Sequence, residues 1–407
     1  MQQGDRRGIG AHYAHDMRSW KLLCEWCDQH NVLIDDRLEL HSSKSADDGD
    51  QWSFALRAEI GEGELIVSIP KAATFSLRSA SLCSLVDLID PLDKIGWLEL
   101  ATCLVYEYSL GAQSPFWGYL QSLPDRVQLP STSGRSTDWL NGTEASRRLA
   151  HKQSSPLRYW QDRGAALLAH VFPNEHESPA QCLRNLHRFP GTTPTVNLFL
   201  DACSLVSSRS FTIDVHRGQA LCPIADIFDH EEQNHVHVES ELNRDAGSHQ
   251  EDVTVIMRCV CYVSESETVY NSYGALDNAD LLLRYGFALP LATDHERYSW
   301  APSELPDDVK ASEDYRIDAE GQLSSDMRQL ARATVVQLLE QRIAHCSVHD
   351  DASQEAAFDA MYSSSDPLVV GAARHAQQEF VAYIIALENQ LQKPWSMMLE
   401  RDETMSI

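Results

Sequence analysis

The sequence lacks an apolar run long enough to cross a bilayer, which takes about 18 to 20 residues. Its longest candidate, residues 381–387, is much shorter and is expected to lie in the core of a helix. The polar N-terminus also lacks the apolar block of a secretory signal peptide. From these absences we expect a soluble protein of the cytoplasm, the nucleus or both, with no membrane partner.

Positive charge is scarce, because 33 Lys and Arg stand against 60 Asp and Glu, for a formal net charge of -27. Such a chain repels phosphate backbones, so we expect no direct nucleic-acid ligand. The same charge suits a basic protein partner. Acidity that only aids solubility explains the composition equally well.

Cysteine gives no sign of a metal or disulfide framework. Ten cysteines are spread over 407 residues, whereas disulfide scaffolds concentrate them in short chains. Cys24 and Cys27 form a CxxC with no second pair at zinc-site spacing, and both fall on a helical apolar pattern. Because free cysteine packs like a small hydrophobe, we favour reduced, buried thiols over a metal or redox role.

Apolar spacing changes several times along the chain, and each change marks a predicted element. Strands are predicted at 52–56, 65–69, 253–261 and 268–270. Helices are predicted at 12–30, 277–285, 326–344 and 366–392, with several more between 81 and 206. Ser325 and Asp366 are the predicted N-caps of the last two helices.

The order of these elements predicts one β unit that is interrupted by helices and followed by a separate helical unit. A disordered N-terminus comes first, then an N-terminal helix with the first β part, a helical insert, the second β part and a helical C-terminal domain. The five segments are 1–11, 12–80, 81–205, 206–290 and 291–407.

Short motifs between 208 and 287 carry the chemical information. They are SRSF at 208–211, CPIADIFDH at 222–230, YNSYG at 270–274, Asn278 and LLRYGF at 282–287. Their order and spacing resemble the SET-domain methyltransferases of the Rubisco large-subunit methyltransferase class. That class includes ribosomal-protein lysine methyltransferases and an actin histidine methyltransferase. Segments 59–70, 117–124 and 140–143 agree, so the resemblance covers roughly residues 15–290.

The resemblance implies both a fold and an activity. The fold would be α+β: a SET domain of short strands, interrupted by a helical insert and followed by an all-α C-terminal domain of the substrate-binding type. The activity would be protein-lysine N-methylation with S-adenosylmethionine, on a non-histone substrate such as a ribosomal protein or another translation component. Histidine methylation, or a SET-fold binding protein without catalysis, remain alternatives.

Methyl transfer from a sulfonium needs a neutral nitrogen held in line with the methyl carbon. A free lysine has a pKa of about 10.4, so a partly desolvated channel must favour its neutral form. Positioning of the reactants can then supply about 7–11 kcal/mol of the barrier. Tyrosine hydroxyls and backbone carbonyls suit this channel because they offer oxygen atoms without a competing amine.

The resemblance assigns three residues to this channel. Tyr273 would be the catalytic tyrosine and would also touch the cofactor, and Tyr285 would be the second channel tyrosine. Asp226 would be a substrate-side carboxylate. Each has a plainer explanation: core packing for Tyr273, helix packing for Tyr285 and a turn for Asp226.

The resemblance also assigns the cofactor contacts. Arg209 would bind the carboxylate of S-adenosylmethionine, although a surface ion pair would explain it too. Asp229 and His230 occupy the place of the family's Asn-His pair, and aspartate can accept from the cofactor's ammonium with added charge. Asp50, Gln51 and Trp52 would line a loop where the family has Gly-x-Gly. Because glycine permits positive φ, its absence keeps the non-catalytic alternative open.

A metal site is the remaining interpretation of the same stretch. Asp226, Asp229, His230, His235 and His237 are all of ligand type, and His235 and His237 would share one face of a strand. The neighbouring Glu and Asn residues instead suggest a solvated loop. Because the methyltransferase interpretation already explains 229–230, we expect no metal.

Overall fold

The computed structural model describes residues 19–45, 49–84, 96–124, 127–132, 140–151, 156–164, 194–214, 217–242, 253–301, 304–306, 314–345, 361, 363–364 and 366–391. The predicted disordered segment 1–11 lies outside them. The chain divides into two compact units. The first takes its described residues from Met1–Val127 and Ser154–Tyr273, and the second from Gln128–Gln153 and Gly274–Ile407.

Short antiparallel strands form the sheets of the first unit. They are β1 (Leu33–Ile34), β2 (Leu38–Ser45), β3 (Gly49–Leu56), β4 (Leu65–Pro70), β5 (Phe75–Ser76), β6 (Ser210–Asp214), β7 (Gly218–Leu221), β8 (Val236–Leu242) and β9 (Val253–Cys259). One sheet has the order β1-β4-β9-β8, one pairs β2 with β3, and one has the order β5-β7-β6.

A glycine turn and a proline set the limits of β4. Gly63 has a φ of 84°, and its N–H donates to the Cys259 carbonyl at 2.8 Å. Pro70 ends the strand, as predicted, and the strands predicted at 65–69 and 253–261 are confirmed. The prediction of a strand at 268–270 is wrong. The backbone of this segment makes isolated hydrogen bonds to β3 on one side and to Val236 on the other, so no regular ladder forms.

The first unit also contains helices. They are α1 (19–29), α2 (Trp97–Leu110), α3 (Trp117–Leu120), α5 (Pro156–Tyr159, continued by a π-helical turn, Trp160–Gly164) and α6 (Pro194–Arg209). α2 packs against α6, and most of α2 is buried. Fully buried aromatic rings, including Phe54, Phe199 and Phe228, lie in the shared core.

The second unit is mainly helical. Its helices are α4 (Glu144–His151), α7 (Asn278–Tyr285), α8 (Arg332–His345) and α9 (Pro367–Leu391), and β10 (Tyr298–Ser299) pairs with β11 (Arg316–Ile317). The C-terminal segment predicted to be all-α therefore contains a small β pair.

Glycine permits α9 to pack closely at one position. A Cβ added at Gly371 would lie 2.9 Å from the backbone nitrogen of Ala288.

One predicted N-cap is confirmed and one is wrong. Asp366 accepts from the N–H of Leu368 at 3.0 Å and begins α9. Ser325 does not begin a long helix: Ser324 accepts from Met327 in a single 3-10 turn, Met327–Gln329. Leu330 is extended, with φ -70° and ψ 153°, so α8 begins only at Arg332.

The two units do not coincide with the five predicted segments. Residues 128–153 of the predicted helical insert belong to the second unit, which resumes at Gly274 rather than after 290. Among the described helices, none combines the length and the apolar character that a bilayer crossing requires.

Candidate functional site

Arg209 is the last residue of α6 and stands directly before β6. Its Nη1 donates to the backbone oxygen of Asp226 at 2.6 Å and lies 3.8 Å from the Asp226 Oδ2. The Nε–H is buried and has no hydrogen-bond acceptor among the described residues, although 25% of the side chain is exposed. With Nη1 engaged, the Nε edge of the guanidinium is the one that suits a carboxylate ligand.

Asp226 lies in a short 3-10 turn that follows a strained residue. Ile224 has φ 71° and ψ -50°, a conformation that a β-branched residue rarely adopts. Such strain costs on the order of 1–3 kcal/mol and often accompanies functional sites. The turn buries the Asp226 side chain, whose Oδ2 accepts from the Tyr119 hydroxyl at 2.8 Å.

Burial governs the charge of this carboxyl. Desolvation raises the pKa of Asp226, whereas Arg209 and the Tyr119 hydrogen bond lower it. The predicted role of Asp226 as a substrate contact stays a prediction. Its carboxylate faces Tyr119 and Arg209 in the interior, so such a contact would require its exposure.

Asp229 and His230 follow on the same segment. Asp229 is open to solvent, yet the protein atoms around it displace enough water to raise the pKa of its carboxyl to about 6, with Arg209 opposing. His230 is buried, which lowers its pKa and favours the neutral ring. Its Nδ1 accepts from the main-chain N–H of Tyr273 at 3.1 Å, so the neutral ring carries its proton on Nε2.

Tyr273 is held against this segment by its hydroxyl, its ring and its neighbours. The hydroxyl donates to the carbonyl of Phe228 at 3.0 Å, and the ring stacks on that of His230 at 5.1 Å. Asn271 donates its N–H to the Asp229 carbonyl at 2.8 Å. Residues 226–230 thus connect Arg209, Asp229, His230 and Tyr273 into one arrangement.

The three N-terminal cofactor residues lie in a regular hairpin rather than in a loop. Asp50, Gln51 and Trp52 are opposite Lys44, Ser43 and Ser42 in the β2–β3 register. The side chains of Asp50 and Gln51 lie outside the described structure. The Trp52 ring meets that of Trp20 edge-on at 6.1 Å. Their cofactor contacts stay predictions.

The strand β3 nevertheless runs next to the site. Two positions beyond Trp52, the ring of Phe54 packs on that of Phe228 at 4.8 Å. Phe228 also supplies the carbonyl that binds Tyr273.

Tyr285 belongs to the second unit, where it ends α7. Asp277 caps this helix by accepting from Asp280 N at 2.9 Å, and Gly286 ends it with a φ of 85°. Tyr285 is half-buried, and burial raises its pKa. Its place beside Tyr273 stays a prediction.

His235, one of the histidines of the alternative metal site, has other partners. His235 Nδ1 accepts from the N–H of Tyr270 at 3.2 Å, and its Nε2 lies 3.5 Å from Glu267. Within the described ranges, no group of three or more His, Cys, Asp and Glu side chains could hold a metal ion.

Two features of this site were missed from the sequence. Tyr119 lies in a segment that carries the resemblance, but nothing in its spacing points to Asp226, 107 positions away. The strain at Ile224 was not predictable either, because a β-branched residue in an apolar run gives no sequence signal of a positive φ.

No family model matches the chain. Its curated relatives include an uncharacterized protein of Schizosaccharomyces pombe, 24% identical over 66% of this chain and 54% of its own length. N-lysine methyltransferase setd6 of Xenopus tropicalis is 22% identical over 65% of this chain and 56% of its own length. Ribosomal lysine N-methyltransferase 3 of Saccharomyces cerevisiae is 23% identical over 58% of this chain and 56% of its own length. The chain thus spans about half the length of these relatives.

Solved structures share the fold over nearly the whole chain. The SET domain of LSMT bound to lysine and AdoHcy has a TM-score of 0.62 and 16% identity, covering 95% of this chain and 93% of that one. Rubisco LSMT bound to AdoMet has a TM-score of 0.56 and 16% identity, covering 96% and 93%. The chain therefore has the α+β SET fold of this class, as its motifs predicted.

Proposed function

We propose that this chain transfers a methyl group from S-adenosylmethionine to a lysine side chain of a protein. The arrangement of Arg209, Asp229, His230 and Tyr273 around residues 226–230 carries the proposal. It lies in a SET fold, and solved structures with this fold are bound to AdoMet or AdoHcy and to lysine or methyllysine.

The charged side chains fit the amino-acid end of this cofactor. Arg209 presents a buried Nε–H without a partner, which suits a carboxylate. Asp229 presents a solvent-accessible carboxyl, which suits an ammonium group. S-adenosylmethionine, when bound, supplies a methyl group activated by a positive sulfonium.

Tyr273 provides an oxygen atom at a fixed position. Its hydroxyl proton points to the Phe228 carbonyl at 3.0 Å, so the phenolic oxygen can act as an acceptor toward the channel. The ring is fixed by stacking on His230. A preorganised oxygen of this kind can orient an amine or a polarised methyl without reorganisation at the moment of transfer.

The substrate would be a basic, non-histone protein. The net charge of -27 would favour encounters with a positively charged partner. Two relatives, in Schizosaccharomyces pombe and Saccharomyces cerevisiae, are named ribosomal lysine N-methyltransferases. A ribosomal protein in the cytoplasm or nucleus is therefore the substrate that we propose.

Labelled cofactor tests this function directly. The full chain is incubated with methyl-labelled S-adenosylmethionine and an extract from cells that lack it, beside Tyr273→Phe as control. We expect a labelled band with the wild-type chain only, and methyllysine after acid hydrolysis. Methylhistidine would replace the proposed target residue, and no label in any extract would contradict the enzyme.

One observation favours a second candidate, a SET-fold protein that binds without catalysis. Residues 51–53 contain no glycine and continue the strand β3, where the family has a Gly-x-Gly loop. Titration calorimetry distinguishes the two. Micromolar binding of S-adenosylmethionine supports the enzyme, and no binding supports the second candidate.

A further inference from the structure

We infer that Tyr119 is a positioning residue, which acts through Asp226 to hold Arg209 ready for the carboxylate of the cofactor. The inference rests on the proposed function and adds a residue to its site. Tyr119 lies in α3, far along the chain from both partners, and it is fully buried.

Three contacts link these residues in series. The Tyr119 hydroxyl donates to Asp226 Oδ2 at 2.8 Å. That oxygen lies 3.8 Å from Arg209 Nη1, and the same Nη1 donates to the Asp226 backbone oxygen at 2.6 Å. Asp226 therefore holds Nη1 through one backbone hydrogen bond and one ion pair, and Tyr119 holds the Asp226 carboxylate.

The hydroxyl of Tyr119 also favours the charged form of Asp226. The carboxyl is buried, which favours its neutral form, and only Arg209 and the hydrogen bonds oppose this. Without the Tyr119 hydroxyl, Asp226 would bind a proton more readily. A neutral Asp226 attracts Arg209 less strongly, so the guanidinium would adopt more orientations and lose its alignment toward a ligand.

The phenyl ring of Tyr119 has a separate, structural role. It packs near Trp26, with ring centroids 6.1 Å apart, in the apolar core. Tyr119→Phe keeps this ring and removes only the hydroxyl. The substitution thus separates positioning from packing.

Two nucleoside probes provide the test in the full chain. S-adenosylhomocysteine has the amino-acid carboxylate, and 5′-methylthioadenosine lacks it. For Tyr119→Phe we expect roughly tenfold weaker binding of S-adenosylhomocysteine, about the effect of a weakened charged contact, with 5′-methylthioadenosine unchanged. The defect should increase as pH falls, because Asp226 binds a proton more readily in the variant.

Asp226→Asn serves as a second variant in case Tyr119→Phe folds poorly, and it should show the same selective loss without the added pH dependence. Tyr106→Phe is the control, because it removes the hydroxyl of another buried tyrosine of the first unit. Equal weakening of both probes, or of neither, would overturn the inference while leaving the proposed function intact. A wild-type chain that binds neither probe would remove the proposed function and the inference together.

Discussion

The main-chain N–H of Tyr273 donates to Nδ1 of His230 at 3.1 Å, and the two rings stack with their centroids 5.1 Å apart. Nδ1 can accept this bond only when the imidazole is neutral, and burial lowers the pKa of His230 accordingly. The position of Tyr273 therefore depends on the neutral state of its neighbour. This contact joins two motifs that lie far apart in the sequence.

Tyr273→Phe should leave the fold and the cofactor affinity nearly unchanged while turnover decreases about 100-fold or more. The lost hydroxyl bond to Phe228 costs about 1 kcal/mol of stability, which would lower Tm by only a few degrees. Single-turnover methyl transfer and calorimetry measure the two effects separately. Turnover near that of the wild type would show that Tyr273 is not catalytic.

Arg209→Ala should weaken binding of S-adenosylmethionine by about 2 kcal/mol, because the carboxylate of the cofactor would lose the guanidinium that pairs with it in a partly buried site. Arg209→Lys should restore little of this affinity, since an ammonium cannot present the two-pronged edge of a guanidinium. Calorimetric titration of both variants provides the measurement. An alanine variant with full affinity would remove Arg209 from the cofactor site.

The site was predictable where its residues lie in short linear motifs. Arg209, Asp229, His230 and Tyr273 fall in segments whose order and spacing resemble the family, and the structure brings these segments together. The hydrogen bond between Tyr119 and Asp226 was not predictable. It joins residues 107 positions apart, and neither apolar period nor motif spacing carries information about such a pair.

The fold was predictable where local signals agreed. Asp277 and Asp366 mark helix starts because a cap bonds to its own helix within three residues. At 50–53 two signals disagreed, since the family alignment indicated a loop and alternating apolar residues from Trp52 indicated a strand. The strand prevails, because Trp52 and Phe54 pack their rings in the core region.

If the substrate is a basic protein, its methylation should weaken as salt increases from about 50 to 300 mM, mainly through KM. Attraction between opposite charges assists encounter and is screened over about 10 Å at 0.1 M salt. Steady-state kinetics with the identified substrate give the measurement. A KM that is independent of salt would contradict charge-guided docking.

Cofactor affinity should increase with pH through about 6, because an ionised Asp229 binds an ammonium better than a neutral one does. The pKa of Asp229 is raised to about 6, so its carboxyl gains charge over this range. Asp229→Asn should bind with an affinity that changes little between pH 5 and pH 8. Calorimetry across that range compares the two, and the same pH dependence in both would exclude Asp229 as the titrating group.

Glu296 lies in a buried, charged part of the second unit. Its Oε1 accepts from the N–H groups of Asn278 at 2.8 Å and Thr293 at 3.5 Å, and the residue is 2% exposed. Burial raises its pKa from 4.5 to about 7, and nearby Asp277 adds to the shift. The titratable side chains that interact with Glu296 are Asp277 and Tyr298, and the Tyr298 hydroxyl opposes the shift.

The raised pKa of Glu296 predicts that the second unit loses stability as pH increases from about 4.5 to about 7. In this range the folded protein keeps a proton on Glu296 that the unfolded chain releases, so unfolding becomes easier as pH rises. One pKa unit corresponds to about 1.4 kcal/mol, which limits the effect to about 3 kcal/mol.

Glu296→Gln keeps the acceptor oxygen but cannot ionise, so it should remove most of this pH dependence. Urea unfolding of the full chain at pH 5.5, 6.5 and 7.5 measures it, with the exposed Glu320→Gln as the matched control. If Glu296→Gln and Glu320→Gln both retain the wild-type slope, another group with a raised pKa, such as the carboxyl of Asp229, must account for it.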